Sequence, residues 1–212
     1  MLMLEKNFQL SSKVVISIDP KKLETFSQNH LKFYLKYSSF VFKALKKHSF
    51  QRFLRWMLKK EKIEEQIVNT VQVKVLPFRG KTGHGVAGKC NTASGRIRIY
   101  PKTIKFCQIF KQRFGLSALL AYAGNRARAA LIHELLHLKY AEDEKTVREL
   151  TKDYFSIFTQ KQNAQSTHSL YIFTMIFNPK TRRKKSLSKC STTPRTKLKL
   201  TEACLRASVF SK

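Results

Sequence analysis

The sequence predicts an α+β fold: a small mixed or antiparallel sheet with an edge hairpin, packed on a buried helix, with further helices before and after it. Three observations carry this. Residues 70–78 (TVQVKVLPF) and 96–101 (RIRIYP) alternate apolar and polar side chains with the period of a strand. Long segments on either side repeat apolar residues at helical spacing. One of these, residues 125–140, is apolar on most sides, as a helix is when it is buried all round.

The elements follow in order. Residues 14–18 (VVISI) read as a short buried strand stopped by Asp19-Pro20, with Asp19 capping the helix that follows and Pro20 at its first position. From residue 21 to about 66 the pattern is helical, carried by Leu23, Phe26, Leu31, Tyr34 and Leu35 and then by Phe53, Leu54, Met57, Leu58 and Ile63. Ser39 and His48-Ser49 are its expected breaks. The strand at 70–78 sets Val71, Val73 and Val75 on one face. Five of the chain's seven glycines then lie between Gly80 and Gly95. Such a loop lets a ligand or peptide approach the backbone closely, and it contains no phosphate-binding GxxxxGK[ST] pattern. The second strand, with Ile97 and Ile99 on one face, closes a hairpin at Pro101. A helix is expected over 103–114, ended by Gly115. Another starts near Ser117, with a break at Gly124-Asn125 and Asn125 capping a fresh helix through Tyr140. A last helix runs from near Asp143 to about Gln160. Residues 161–212 hold twelve Lys and Arg and a single acid, Glu202, so a basic, mostly disordered tail is expected there, with a short ordered piece at 171–177. The chain therefore divides into a domain at 1–160 (strand and helices 14–66, sheet 70–101, final helices 117–160) and a tail at 161–212.

Composition bounds the function. Lys and Arg number 42 against 13 Asp and Glu, a net charge of +29. That charge attracts polyanions such as nucleic acid or an anionic membrane surface, and it is also what an ordinary soluble protein carries in a Lys-rich proteome. At 42% hydrophobic residues the chain can build a core, which excludes wholesale disorder. Cys90, Cys107, Cys190 and Cys204 form no CxxC pair, so neither a zinc ribbon nor a thioredoxin-like motif is present. Few, scattered cysteines suit a reducing compartment. The N-terminus lacks a signal-peptide core, and no apolar run approaches the ~20 residues that span a bilayer. A cytoplasmic protein without a membrane partner is expected.

The acids are the unusual feature. Six of the 13 fall within residues 134–153, around and after two histidines. His133, Glu134 and His137 form HExxH. On a helix, residues four apart share a face, so both imidazoles can bind one Zn2+ while Glu134 reaches a bound water. Catalytic zinc usually takes a third protein ligand. Helical phase sorts the candidates. With Val147 at the centre of the next helix's buried face and about 100° per residue, Glu144 falls near that face and Glu149 on the opposite side. Asp143 is best placed as the cap and Glu142 in the turn. Glu144 is the expected third ligand, with Glu149 in reserve. Tyr154, Arg148 and His84 are candidate donors to a developing oxyanion.

Residues 70–158 resemble the zincin metallopeptidases, specifically small gluzincins, in which two His and a Glu hold the metal. The resemblance rests on His133, Glu134 and His137 and on the strand GRIRIYP ahead of their helix. It implies that this strand, with Ile97 and Ile99, aligns substrate. It implies a zinc-dependent endopeptidase in which Glu134 activates a zinc-bound water against a peptide bond of a protein or peptide substrate. Two departures stand out: only six residues separate His137 from Glu144, where many gluzincins have more, and the third His of metzincins is absent. Two alternatives join the motif to the charge. One is a SprT-like protease tethered to DNA or RNA by its basic surface and tail. The other is a nucleic-acid-associated protein whose zinc site is structural or inactive.

Overall fold

Val71, Val73 and Val75 lie on one face of an alternating segment, and in the computed structural model all three are buried. The structure describes residues 9–20, 26–78, 80 and 85–160. These belong to one compact unit, Met1–Asn178, while a second unit, Pro179–Lys212, and the tail expected from residue 161 onward lie outside the described residues. The elements are β1 (Val14–Ser17), α1 (Gln28–Lys46), α2 (His48–Glu61), β2 (Thr70–Lys74), β3 (Gly88–Asn91), β4 (Arg96–Ile99), α3 (Ile104–Tyr140) and α4 (Glu144–Gln160). Short 3-10 turns precede β1 and β2. No described helix is long and apolar enough to cross a membrane.

The expectation of an α+β fold with a small mixed sheet holds. Strand order is β1-β2-β4-β3, with β2 parallel to both β1 and β4 and β3 antiparallel to β4. Its inner face offers Val71, Val73, Ile97 and Ile99 to the core, where they join Leu131, Leu135 and Leu136 of α3, Phe50 and Met57 of α2, and Phe155 and Phe158 of α4. Burying one such side chain contributes roughly 1.5–3 kcal/mol.

Several expectations are corrected. GRIRIYP is not the edge strand: β4 lies between β2 and β3, and the edge beside the HExxH helix is β3. Ile97 and Ile99 do not line a substrate groove, because both are buried at 0% and 2% exposure in the core. The strand at 14–18 is half-buried rather than buried, since β1 is the other edge and Val15 and Ile16 are each 40% exposed. Ser39 is no break. The chain stays helical to Lys46 and turns at Lys47, while Ser38, one residue earlier, donates its hydroxyl to the Lys74 carbonyl at 3.1 Å and ties α1 to the sheet. Gly124-Asn125 is no break either. α3 runs unbroken through Gly124 and packs on α1 there, where a Cβ would meet Ala44 and Phe40 at an ordinary contact distance of 3.6 Å. Asn125 accepts from Arg128 within the same helix at 3.0 Å. The one departure inside α3 is at Gly115, whose φ of 84° kinks the helix where the sequence ends one. The helix expected to start at Asp19-Pro20 runs into residues outside those described.

Candidate metal centre

The turn after α3 builds the site. Ala141 takes a φ of 47°, its N–H returns to the His137 carbonyl, and Asp143 accepts from the Thr146 N–H at 3.0 Å as the expected cap of α4. A connection of three residues folds α4 back along α3, which brings Glu144, the first residue of α4, beside the two histidines.

The distances are those of a ligand set. The Nε2 atoms of His133 and His137 lie 3.1 Å apart. Glu144 Oε1 is 3.7 Å from His133 Nε2, and Oε2 is 3.4 Å from His137 Nε2. Zinc at 2.0–2.1 Å from tetrahedrally arranged N and O ligands would hold them about 3.3 Å apart. Among the described residues this is the one group of three or more His, Cys, Asp or Glu side chains arranged to hold a metal ion.

The outer hydrogen bonds fix where the protons are. His137 Nδ1 lies 2.5 Å from the Ala141 carbonyl, which can only accept, so Nδ1 carries the hydrogen. His133 Nδ1 lies 3.3 Å from Thr151 Oγ1, whose own hydrogen goes to the Val147 carbonyl at 2.6 Å. That oxygen is left to accept, so His133 Nδ1 carries its hydrogen too. Two Nε2 lone pairs and a carboxylate therefore converge on one point. Such a group repels itself unless a cation lies between its members. Burial lowers the His133 pKa below its ordinary value, Glu144 opposes this, and His137 and Arg148 add to the lowering.

Glu134 is 6% exposed and packs beneath β3. A Cβ at Gly88 would fall 2.6 Å from its Oε1, so only glycine leaves room for the carboxylate. Tyr100 N–H donates to the Ala87 carbonyl, and the ladder alternation then turns the N–H and C=O of Gly88 and Cys90 away from β4, toward the free edge. The Cys90 backbone N–H is hydrogen-bonded to Glu134. Burial pushes the Glu134 carboxyl up to about 7, with that hydrogen bond opposing the shift and the Glu144 charge adding to it.

The remaining candidates are placed as follows. Arg148 is exposed and donates to Glu144 Oε1 at 2.7 Å, beside the ligand triangle. Tyr154 is not a free donor there: its hydroxyl is given to Glu61, a buried carboxylate at the end of α2 that also accepts from Lys139 at 2.9 Å and Tyr140 at 2.7 Å. Glu149 is exposed and outside the ligand group. His84 lies outside the described residues. Gly88, Cys90, Thr151 and Glu61 are functional or structural contacts that the sequence expectations omit. Thr151 left a signal as a polar residue on an inward face, and Glu61 as the first acid after Glu24 in a basic stretch. Comparison of the chain with protein-family models, with curated proteins and with solved structures gives no match.

Proposed function

We propose that the protein is a zinc-dependent metallopeptidase, with His133, His137 and Glu144 as ligands and Glu134 as the general base. The observation that carries this is the convergence of two imidazole lone pairs and a carboxylate at 3.1, 3.4 and 3.7 Å, with both Nδ1 hydrogens committed elsewhere. The ligand set is that of a catalytic site, with three protein donors and a fourth position left for water or substrate. Zinc supplies Lewis acidity there, making water a nucleophile near neutral pH and polarising a carbonyl.

The chain's own residues do the rest. Glu134 accepts a proton from the attacking water as the new C–O bond forms, then delivers it to the departing amine as the C–N bond breaks. Gly88 and Cys90 hold its carboxylate in place. Among the described residues β3 is the edge strand beside Glu134, and the edge groups other than the Cys90 N–H let an extended peptide add as a further strand. Arg148, hydrogen-bonded to Glu144, is the candidate cation for a developing oxyanion.

Metal content and cleavage of an unfolded protein substrate test this together. Wild type should carry one zinc and cleave, and Glu134→Gln should keep the zinc and lose cleavage. Stoichiometric zinc without any cleavage by wild type would leave a structural metal site. Absence of zinc binding would defeat both readings.

A further inference from the structure

We infer that the outer face of α1 and α2 is a nucleic-acid-binding surface that grips the phosphodiester backbone. Residues 25–60 contain nine Lys and Arg and no acid. All nine are exposed, and none is in an ion pair among the described residues. They are ordered by the helices that carry them. Lys32, Lys36, Lys43 and Lys46 fall within about 80° of one another around α1, and Arg52, Arg55 and Lys59 within about 60° around α2. Each helix thus presents a row of cations spaced about 4.5–6 Å apart, with one gap of about 10.5 Å between Lys36 and Lys43, a form that meets a linear polyanion better than a single small anion.

The two rows meet. Lys46, His48 and Arg55 line a cavity of about 120 Å³ at the α1–α2 corner, together with Gln9, Ser11 and Gln51. Three basic side chains and three neutral polar ones in one recess suit a phosphate group. Trp56 stands within the α2 row at 41% exposure, with Lys60 Nζ 5.5 Å from its ring centre, which offers an aromatic surface to a base. Glu61, the one acid of α2, is buried and committed to Lys139, Tyr140 and Tyr154, and five further acids, Glu142, Asp143, Glu144, Glu149 and Asp153, cluster at the turn into α4 and along it.

A membrane surface fits less well. An interfacial helix inserts apolar side chains, but Phe53, Leu54, Met57 and Leu58 of α2 are spent in the core, and Trp56 on α2 and Leu35 on α1, at 41% and 37% exposure, are what the face has to insert. The inference does not depend on zinc at His133, His137 and Glu144.

Full-length protein carrying Arg52→Glu, Arg55→Glu and Lys59→Glu tests it. The comparison is Lys105→Glu, Arg113→Glu and Lys152→Glu, the same charge change on α3 and α4. Binding is read by fluorescence polarisation with duplex DNA, single-stranded DNA and single-stranded RNA of equal length, and by co-sedimentation with phosphatidylserine vesicles. The α2 variant should bind at least one of the three nucleic acids ten-fold or more weakly at 0.1 M salt, and lose about two to three units of salt slope at roughly 0.7–0.9 per phosphate contact. The comparison variant should stay within three-fold of wild type. Equal losses in the two variants, unchanged binding by the α2 variant, or loss confined to vesicles would overturn the inference. Arg52→Gln, Arg55→Gln and Lys59→Gln, checked for native circular dichroism, repeats the test should the reversals unfold the chain.

Discussion

If His133, His137 and Glu144 hold a metal, Thr151 is a single hydroxyl that sets the site. It donates to the Val147 carbonyl and accepts from His133 Nδ1, which leaves the Nε2 lone pair facing His137 and Glu144. Thr151→Val keeps the shape and removes the acceptor. Zinc affinity should fall about 10- to 100-fold, the usual cost of losing such a partner, measured by competition with a chromogenic chelator. Unchanged affinity would show that the hydroxyl positions nothing. Gly88 is the matching case for the base. Gly88→Ala puts a methyl group where Glu134 lies and should leave zinc bound while lowering peptide cleavage by about 100-fold, the scale of a displacement near 1 Å. Wild-type turnover by that variant would mean that Glu134 needs no fixed position. At this scale HELLH was legible because an i, i+4 pair on an apolar helix is a local pattern. Glu144 was legible because helical phase and a short turn are local too. Gly88 was not, since nothing in a glycine-rich loop says which glycine a carboxylate from 46 residues further on will fill.

Among the elements, α2, α3 and α4 are joined by one buried acid. Glu61 is 7% exposed and accepts from Tyr154 and Tyr140 of two different helices and from Lys139. Burial alone would raise its pKa, but the hydrogen bonds from Tyr154, Lys139 and Tyr140, with the Lys139 charge, hold it below its ordinary value of 4.5. A depressed folded-state pKa contributes stability that is present above the unfolded value and lost as pH falls through the folded one. Urea midpoints should therefore hold through neutral pH and fall below about pH 4.5. Glu61→Gln should cost about 1–3 kcal/mol at pH 7 and flatten that acid limb. A variant with the same acid limb as wild type would place its origin in other carboxylates. Strands β2 and β4 were legible element by element, because Val71 and Val73, and Ile97 and Ile99, alternate. Their order was not. That β4 lies inside the sheet and β3 at its edge depends on β2 pairing with β4 across the intervening hairpin, a long-range choice that no local pattern encodes. The same holds for Gly124, which resembles a helix break until α1 is packed against it.

Across the whole molecule cations are spread along the chain, α1, α2 and α3 included, while six of the 13 acids gather in residues 134–153, where α3 turns into α4. Like charges held together cost stability unless something binds them, and a metal ion is one counter-ion that His133, His137 and Glu144 could hold. His133 and His137 belong to α3 and Glu144 to α4, so one ion held by all three would clamp the hairpin on which Phe155 and Phe158 reach the core. Binding to the folded chain alone stabilises it by RT ln(1 + [L]/Kd), about 2.7 kcal/mol at a hundred-fold excess over Kd. For a chain of this size that is a shift in Tm of roughly 5–10 °C. Wild type should therefore melt that much lower in a strong chelator than in zinc. Glu144→Ala should show a smaller response because one ligand is gone, and His133→Ala with His137→Ala should show none. Glu149→Ala should respond as wild type does, since Glu149 is exposed and outside the ligand group. A chelator response lost in Glu149→Ala and kept in Glu144→Ala would move the third ligand to Glu149. A Tm that ignores zinc in protein shown to bind it would mean that the ion does not join the two helices.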